Sequence, residues 1–260
     1  MKIGFIGSGQ ITKAVVEGII DSKLKITKIY ISKRNKIISR NLKAKSKKII
    51  ILNDNQNIID KSSWIFLAVT PNVGNKILNQ LRFRKNKTII SFISTINMTQ
   101  LKKITGLKKN IVRAIPLPPI SIRKGPIPIY PVNKKIKKFF DKLGTTVEIN
   151  NENLSLNFWA TSAMMAPFYE ILYSLSNWLV KKGIKKDNAQ KYISSLFHAL
   201  AEDALQHKKD LKKLVKQSQT PGGLNEQAVN DLRKAGFYSL LEKTSNKIIK
   251  RLKKSQFNKS

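Results

Sequence analysis

Two glycines near the start of the chain have the spacing of a phosphate-binding turn. Gly7 and Gly9 follow the short apolar run 3–6, which is typical of a buried strand, and precede 10–20, where apolar residues recur at helical spacing. The first glycine permits a tight turn, and the second lets the backbone approach a pyrophosphate at the helix N-terminus. The third position of the pattern, usually Gly or Ala, is Thr12. The context predicts a dinucleotide site, with a purely structural turn as the alternative.

The end of the second predicted strand indicates which dinucleotide binds. An NAD-specific site places an acidic residue there, about 20 residues after the glycines, to bind the ribose 2′-hydroxyl. Residues 30–35 contain no acid, and Ser32, Lys33 and Arg34 are suited to a 2′-phosphate. NADPH is therefore preferred, with NADH as the alternative cofactor. Lys33 and Arg34 could instead belong to the general lysine background.

The chain is strongly basic overall. Its 260 residues include 50 Lys+Arg against 15 Asp+Glu, for a formal net charge of +35. Most of the basic residues are lysines spread along the chain, and this pattern indicates solvated faces more than a nucleic-acid surface. We do not expect specific nucleic-acid binding. The hydrophobic fraction of 41% is high enough for a buried core.

Several kinds of chemistry are excluded by composition. The chain has no cysteine, so disulfides, thiol nucleophiles and Cys-ligated metals are ruled out. Its two histidines, His198 and His207, cannot form a three-His metal site, and we expect no metal. Both lie in a polar helical stretch, so we interpret them as surface or interface residues more than as proton donors.

The chain carries no recognisable targeting or membrane segment. The N-terminal apolar run is too short for a signal peptide. The stretch 153–180 contains one charged residue, Glu170, but also many polar residues, so we expect a helix buried in a core or a subunit interface. The protein is expected to be soluble and cytoplasmic.

The order of apolar patterns predicts an α/β domain over 1–150 and an all-α domain over 151–260. The α/β domain should hold a mostly parallel sheet with helices on both faces. Its predicted strands are 3–6, 26–31, 48–52, 64–69, 88–93, 110–114 and 145–149. Helices are predicted at 10–20, 37–42, 134–143, 154–182, 187–206, 211–217 and 224–252. No helix can run through the proline-rich stretch 116–131.

Four segments together resemble the pyrroline-5-carboxylate reductase family. They are IGFIGSGQ at 3–10, FLAVTP at 66–71, VRAIP at 112–116 and PGG at 221–223, and the resemblance extends from about residue 1 to 240. It implies an N-terminal Rossmann domain that binds NADP and a C-terminal helical domain that forms a homodimer or a higher oligomer. It also implies NADPH-dependent reduction of a cyclic imine, 1-pyrroline-5-carboxylate, to L-proline.

The resemblance also implies roles for individual residues. The pyrophosphate would lie on Gly7, Ser8, Gly9, Gln10 and Ile11, and the adenosine phosphate on Ser32, Lys33 and Arg34. Asn55 would approach the adenine ribose, and the nicotinamide side would be formed by Ala68, Val69, Thr70 and Pro71. The substrate would be held by Pro116, Thr220, Gly222, Gly223, Leu224 and Asn225, with Thr220 orienting it or relaying a proton.

The chain departs from the family pattern mainly on the substrate side. Leu224-Asn225 replaces two threonines, Leu117-Pro118-Pro119 replaces Asn-Thr-Pro, and Thr70 replaces a lysine. Met164-Met165-Ala166-Pro167 replaces a glycine-rich Gly-Ser-Gly-Pro. Two alternatives therefore stay open: a related reductase of another imine or keto acid, and a dinucleotide-binding protein without catalysis.

Overall fold

The computed structural model describes residues 1–206 and 210–257, with the backbone alone at 71–73, 75 and 255–257. His207 lies outside the described residues. The chain divides into two compact units, the first formed by Met1–Trp159 together with the chain from Ile249 onward, and the second by Ala160–Ile248.

The first unit is built on a mostly parallel sheet, as the sequence predicts. Its strands are β1 (Lys2–Ile6), β2 (Lys28–Ser32), β3 (Ile49–Leu52), β4 (Trp64–Leu67), β5 (Thr88–Ser91), β6 (Ile111–Ala114), β7 (Pro126–Tyr130) and β8 (Thr145–Glu148). They pair in the order β3-β2-β1-β4-β5-β6-β7-β8, and the β6–β7 pair is antiparallel. The chain runs outward from β1 to β3 and returns to β4 beside β1, so the strand order reverses between β1 and β4. Ligands of such sheets bind outside the carboxyl ends of the strands at this switch point.

Helices cover both faces of this sheet. They are α1 (Gln10–Ile20), α2 (Lys36–Lys45), α3 (Asn55–Lys61), α4 (Pro71–Leu78), α5 (Met98–Thr105) and α6 (Lys134–Phe140). Alternate strand residues point to opposite faces. Phe5 and Phe66 therefore stack at 4.5 Å between ring centroids in the core under α1, α2 and α6. Ile65 and Leu67 face the other core, under α3, α4 and α5.

The sequence patterns miss several elements of this unit. The strands predicted at 64–69 and 88–93 end at Leu67 and Ser91, because the apolar residues after them are buried in loops and not in the sheet. Helices α3 and α5 are too short and polar to show a clear period, and α4 begins at a proline.

Strand β7 was not predicted from the sequence, because Pro126 and Pro128 argue against a strand. These residues are two apart, so their missing N–H groups lie on the same side of the strand, and the Pro128 carbonyl still accepts from Ile115 N at 2.9 Å. The preceding residues Pro118–Ile122 form a 3₁₀ turn packed against α1, where a Cβ on Gly18 would overlap the Ile120 carbonyl oxygen.

The remaining chain is helical, but with more breaks than predicted. Its helices are α7 (Ser155–Ser162), α8 (Met165–Lys181), α9 (Lys186–Gln206), α10 (Leu211–Gln217), α11 (Leu224–Lys234) and α12 (Phe237–Phe257). The single helix predicted at 154–182 is wrong because Pro167 is confined to the first turn of a new helix. The single helix predicted at 224–252 is broken at Gly236, which has a φ of +75°.

The apolar surface of the second unit is largely exposed in the single chain. Helix α8 packs against α9, and Ser176, Ala189 and Ile193 are buried. Tyr173 and Trp178 on α8 are nevertheless 60% and 57% exposed. Of the two expectations for 153–180, burial in the core of one chain is therefore wrong for much of α8. In the described residues, no helix is both long enough and apolar enough to cross a membrane.

Candidate functional site

The glycine turn between β1 and α1 lies directly against the loop that follows β4. Gly7 has a φ of +109°, and a Cβ there would overlap the carbonyl oxygen of Ala68. This position therefore requires glycine for the fold itself. Gly9 differs, because its φ is −86° and a Cβ there would meet no atom within 4 Å. The chain itself does not need a glycine at position 9, so the open space is available to a ligand.

The start of α1 supplies the donors that an anion in this space would need. Gly9 is the N-cap and offers no side chain to the free N–H groups of the first turn, which contains no acidic residue. The third glycine position is filled by Thr12, which is fully buried and whose Oγ1 donates to Gly7 O at 2.8 Å. Open space beside unpaired N–H donors fits the pyrophosphate of a dinucleotide.

Two hydrogen bonds join the glycine turn to the loop after β2. Gly7 N donates to Ser32 Oγ at 3.0 Å, and Asn35 N donates to Ser8 Oγ at 2.8 Å. Both serines are almost fully buried. Ser32 thus has a partner within the chain that the sequence did not indicate, and its contact with a 2′-phosphate stays a prediction.

Two adjoining cavities of about 620 and 520 Å³ open on these loops at the carboxyl ends of β1, β2 and β4. Both are lined by Gly7, Arg34, Lys36 and Val69. The first is also lined by Ser8, Gly9, Asn35, Ile37, Ala68 and Thr70, and the second by Ser32, Lys33, Asn53, Asn55 and Ile77. Most of the residues expected to bind a cofactor therefore border one continuous region.

Two of the expected cofactor residues, Gln10 and Ile11, line neither cavity. Gln10 is exposed at the start of α1, and Ile11 is partly buried and packs against the core. Pro71 is the first residue of α4.

The region is electrostatically suited to phosphate. Neither cavity is lined by a described Asp, Glu or His, and Lys33, Arg34 and Lys36 take part in none of the ion pairs found in the described residues. Asn35 caps α2 by accepting from Ile38 N at 3.0 Å, which places Lys36 at the first turn of that helix. Sequence reasoning missed Lys36; the capping asparagine before it was the available signal.

A buried ion pair organises the adjacent edge of the sheet. Arg113 on β6 is 4% exposed, and its Nη1 donates to Glu152 Oε1 at 2.6 Å and to Ser155 Oγ at 3.4 Å. Its Nη2 donates to Ser94 O at 3.0 Å, and Met98 N donates to the same Glu152 oxygen at 2.7 Å. Burial lowers the pKa of Arg113, and the Glu152 carboxylate opposes that shift.

This arginine cluster joins the loop after β5, the end of β6 and the segment 152–155. The first compact unit accordingly extends to Trp159, past the domain boundary expected at position 150. Pro116, expected on the substrate side, is buried two residues after β6. Neither Arg113 nor Glu152 was assigned a role from the sequence, because their partnership joins positions 39 residues apart.

In the second unit, the expected substrate segment forms the start of α11. Gly223 N donates to Thr220 O at 2.8 Å, which tightens the turn, and Asn225 Nδ2 donates to Ser218 O at 2.8 Å. Gly222 N donates to Glu226 Oε2 at 2.8 Å, so a carboxylate of the chain itself lies at this helix N-terminus. Leu224, in a threonine position of the family pattern, is 85% exposed.

Other parts of the molecule offer less chemistry. A cavity of about 390 Å³ lies at the amino ends of β5 and β6, lined by Lys85 and residues 106–110. No group of three or more potential metal ligands occurs within the described residues. His198 is exposed on α9, as expected of a surface or interface residue.

Comparisons with known proteins agree with this geometry. Residues 154–255 match the family model described as pyrroline-5-carboxylate reductase dimerisation, and residues 2–95 match NADP oxidoreductase coenzyme F420-dependent. The chain is 22% identical to pyrroline-5-carboxylate reductase 2 of Bacillus subtilis, over 91% of this chain and 88% of that protein.

Solved structures share the fold over nearly the whole chain. The 1-pyrroline-5-carboxylate reductase of Streptococcus pyogenes aligns with a TM-score of 0.83 at 22% identity, covering 98% of both chains. The Plasmodium falciparum pyrroline carboxylate reductase, solved with NADP bound, aligns with a TM-score of 0.82 at 22% identity and 98% coverage of both chains.

A Rossmann-like sheet with a glycine turn at its switch point, followed by a helical dimerisation domain, defines a class of nicotinamide-dependent oxidoreductases. Within that class, the chain is similar over nearly its whole length to pyrroline-5-carboxylate reductases.

The two glycines of the turn should respond differently to the same substitution. We expect Gly7→Ala to lower the free energy of unfolding by at least about 2 kcal/mol, because of its positive φ and its overlap with Ala68. Gly9→Ala should change stability by less than about 1 kcal/mol. Gly9→Ala should nevertheless weaken NADPH binding about tenfold or more, because its methyl group enters the space proposed for the ligand. Urea unfolding and NADPH titration of both variants measure this, and equal losses of stability would contradict it.

The arginine cluster should be energetically coupled. Arg113→Met leaves a largely buried carboxylate without its partner, so we expect a loss of about 3 kcal/mol in the free energy of unfolding. The double variant Arg113→Met/Glu152→Gln should recover part of that loss. Strictly additive effects in urea unfolding would show that the pair is not coupled.

Proposed function

We propose that this protein uses NADPH to reduce a C=N bond, and that its substrate is 1-pyrroline-5-carboxylate, which becomes L-proline. The observation that carries the proposal is the continuous region formed by the two cavities, with the glycine turn on one wall and unpaired basic residues on the other. The names of the relatives support the substrate, since they match the chain over nearly its full length.

The residues of the first unit would bind and orient the cofactor. The pyrophosphate would lie beside Gly9 at the N-terminus of α1, and Arg34 with Lys33 would hold the 2′-phosphate. Ala68, Val69 and Thr70, after β4, would border the nicotinamide half, since that half lies beyond the switch point. When bound, NADPH supplies the hydride, and the protein has to position its donor atom and exclude water.

The chemistry does not require a strong general acid. A protonated imine is already electrophilic, which suits cavities with no described Asp, Glu or His in their lining. Thr220 is the hydroxyl proposed to orient the imine or to relay a proton. The turn at Gly222 and Gly223, with Leu224 and Asn225, and the buried Pro116 complete the proposed substrate contacts.

One observation favours a second candidate substrate. The Glu226 carboxylate already accepts a hydrogen bond from Gly222 N, at the helix start where the resemblance places the substrate carboxylate. Two carboxylates there would repel each other. This favours an imine that lacks a carboxylate.

The helical part is proposed to form a homodimer. Besides α8, helices α9 and α12 expose large apolar side chains, among them Tyr192, Leu200 and Leu240. Many exposed large apolar side chains on helices are typical of obligate interfaces. The match of 154–255 to a dimerisation domain supports the same conclusion. The cytoplasmic location stays a prediction.

The function is tested by following NADPH oxidation with 1-pyrroline-5-carboxylate and with a matched panel of cyclic imines that lack the carboxylate. Turnover of 1-pyrroline-5-carboxylate above the rest of the panel is the expected result. Turnover of the carboxylate-free imines alone would favour the second candidate. NADPH binding without any turnover would contradict reductase activity.

Removal of one basic residue should change the choice of cofactor. Arg34→Ala should raise the KM for NADPH about tenfold and leave that for NADH nearly unchanged, because a charge-assisted bond to the 2′-phosphate is lost. Arg40→Ala is the matched control, since Arg40 is exposed on α2 and lines neither cavity. Equal effects of Arg34→Ala on both cofactors would show that this side chain does not contact the phosphate.

A further inference from the structure

Lysines are concentrated at one edge of the parallel sheet. Strands β1 to β6 run parallel, so their amino ends lie at the same edge, opposite the cofactor cavities. Eight of the fifteen residues in the three positions before each of β2 to β6 are lysines: Lys25, Lys47, Lys48, Lys61, Lys85, Lys87, Lys108 and Lys109. The chain as a whole has 50 Lys+Arg in 260 residues, so this edge exceeds the general lysine background.

The carboxyl edge of the same strands has a different composition. Of the eighteen residues in the three positions after each of β1 to β6, only Lys33 and Arg34 are basic, and Asp54 is acidic. The three positions before β2 to β6 contain no acidic residue. The acidic Asp60 at the amino edge lies on α3, where its Oδ1 is 3.9 Å from Arg84 Nη2. The fold therefore places positive charge preferentially at the amino edge.

The lysines follow one another across the six strands. Lys2 and Lys28 are paired in register at the starts of β1 and β2, and Lys48 O accepts a hydrogen bond from Ile29 N. Two cavities continue the row, one of about 230 Å³ beside β1, β4 and β5 and one of about 390 Å³ beside β5 and β6. The first is lined by Lys2, Lys61 and Lys87, and the second by Lys85, Lys108 and Lys109. At about 4.8 Å between neighbouring strands, the row is about 24 Å long.

Most of these ammonium groups are available to an external anion. Lys87 is the exception, because its Nζ donates to Asp60 O at 3.0 Å and to Ser62 O at 2.6 Å. The other lysines of the row are exposed, and their Nζ atoms form no hydrogen bond or ion pair within the part of the chain that the structure describes. All of them except Lys61 lie outside helices, so stabilisation of helix dipoles does not explain them. Like charges in one row repel each other, and a bound polyanion would relieve that repulsion.

The side chains around the row indicate which polyanion fits. In the described chain, no exposed large apolar or aromatic residue lies in the three positions before β2 to β6. A membrane would therefore receive no apolar anchor, and single-stranded nucleic acid would find no ring on which to stack its bases. Lysine is a point charge that binds phosphate but reads bases poorly. A row of this length matches about seven base pairs of a duplex at 3.4 Å each.

We propose that the amino edge of the sheet binds double-stranded nucleic acid through its phosphates, without sequence preference. Each lysine that neutralises a phosphate releases counterions, so the affinity should fall steeply as salt is added. The surface lies at the opposite edge from the cofactor cavities. The proposal is therefore independent of the proposed reductase activity, and a duplex and NADPH should bind at the same time.

The test compares two variants that lose the same charge. The edge variant combines Lys28→Gln, Lys48→Gln, Lys85→Gln and Lys109→Gln. The control variant combines four substitutions of exposed lysines in the same compact unit, Lys124→Gln, Lys134→Gln, Lys138→Gln and Lys142→Gln. Strand β7 is antiparallel to β6 and parallel to β8, so the lysines that precede β7 and β8 lie at the other edge of the sheet. Both variants should keep the wild-type melting temperature, because the replaced side chains are exposed.

Binding of a fluorescent DNA duplex of about 20 base pairs to the full-length protein is measured by anisotropy between about 50 and 200 mM salt. The slope of log affinity against log salt should become less steep by about 4 in the edge variant, one for each lysine, and by less than about 1 in the control. Lys109→Gln alone should change it by about 1, which keeps the test valid if the edge variant does not fold. Duplexes of different sequence should bind equally, and saturating NADPH should not displace them.

The proposal is overturned if the two variants lose affinity equally, because net charge alone would then explain the binding. Displacement of the duplex by NADPH would also overturn it, since the duplex would then occupy the cofactor region. Stronger binding to phosphatidylserine vesicles than to the duplex would indicate a membrane partner instead. Failure of the wild-type protein to bind the duplex at low salt would overturn the proposal and leave the proposed reductase activity untouched.

Discussion

The close approach of Gly7 to the carbonyl of Ala68 is the constraint on which the candidate site depends. It brings the loops after β1 and β4 into backbone contact at the point where the strand order reverses. A side chain at Gly7 would push these loops apart and move the start of α1 away from the cavities. Because Gly7 also donates to Ser32, the same residue fixes the basic loop after β2. One small residue thus sets the relative positions of three loops.

A second anchor holds the other half of the sheet edge. Arg113 and Glu152 tie the loop after β5 to β6 and to the start of the helical part. Two kinds of interaction are combined here: tight backbone packing on the side proposed for phosphate, and a buried ion pair on the side proposed for nicotinamide. Breaking the ion pair should lower the free energy of unfolding more, because a charge that loses its partner in a largely buried position is poorly solvated.

The sequence predicts the parts of this arrangement that depend on local patterns. The apolar runs identify most strands, the period of 10–20 matches α1, and the glycine spacing locates the turn. Relationships between distant residues were not predictable in the same way. The Ser32–Gly7 bond and the Arg113–Glu152 pair both depend on tertiary neighbours that leave no periodic signal. Strand β7 was missed because its prolines argue against a strand until its position beside β6 is known.

A phosphorylated dinucleotide is proposed to bind across the loops after β1, β2 and β4. Hydrogen–deuterium exchange of the full-length protein with and without NADPH tests it most directly, since the amides at the start of α1 would become bonded to phosphate. We expect protection at 7–12 and 32–36, with none at 106–110 beside the separate basic cavity. Saturable NADPH binding that protects 106–110 and leaves 7–12 unchanged would show that the dinucleotide does not bind at the glycine turn.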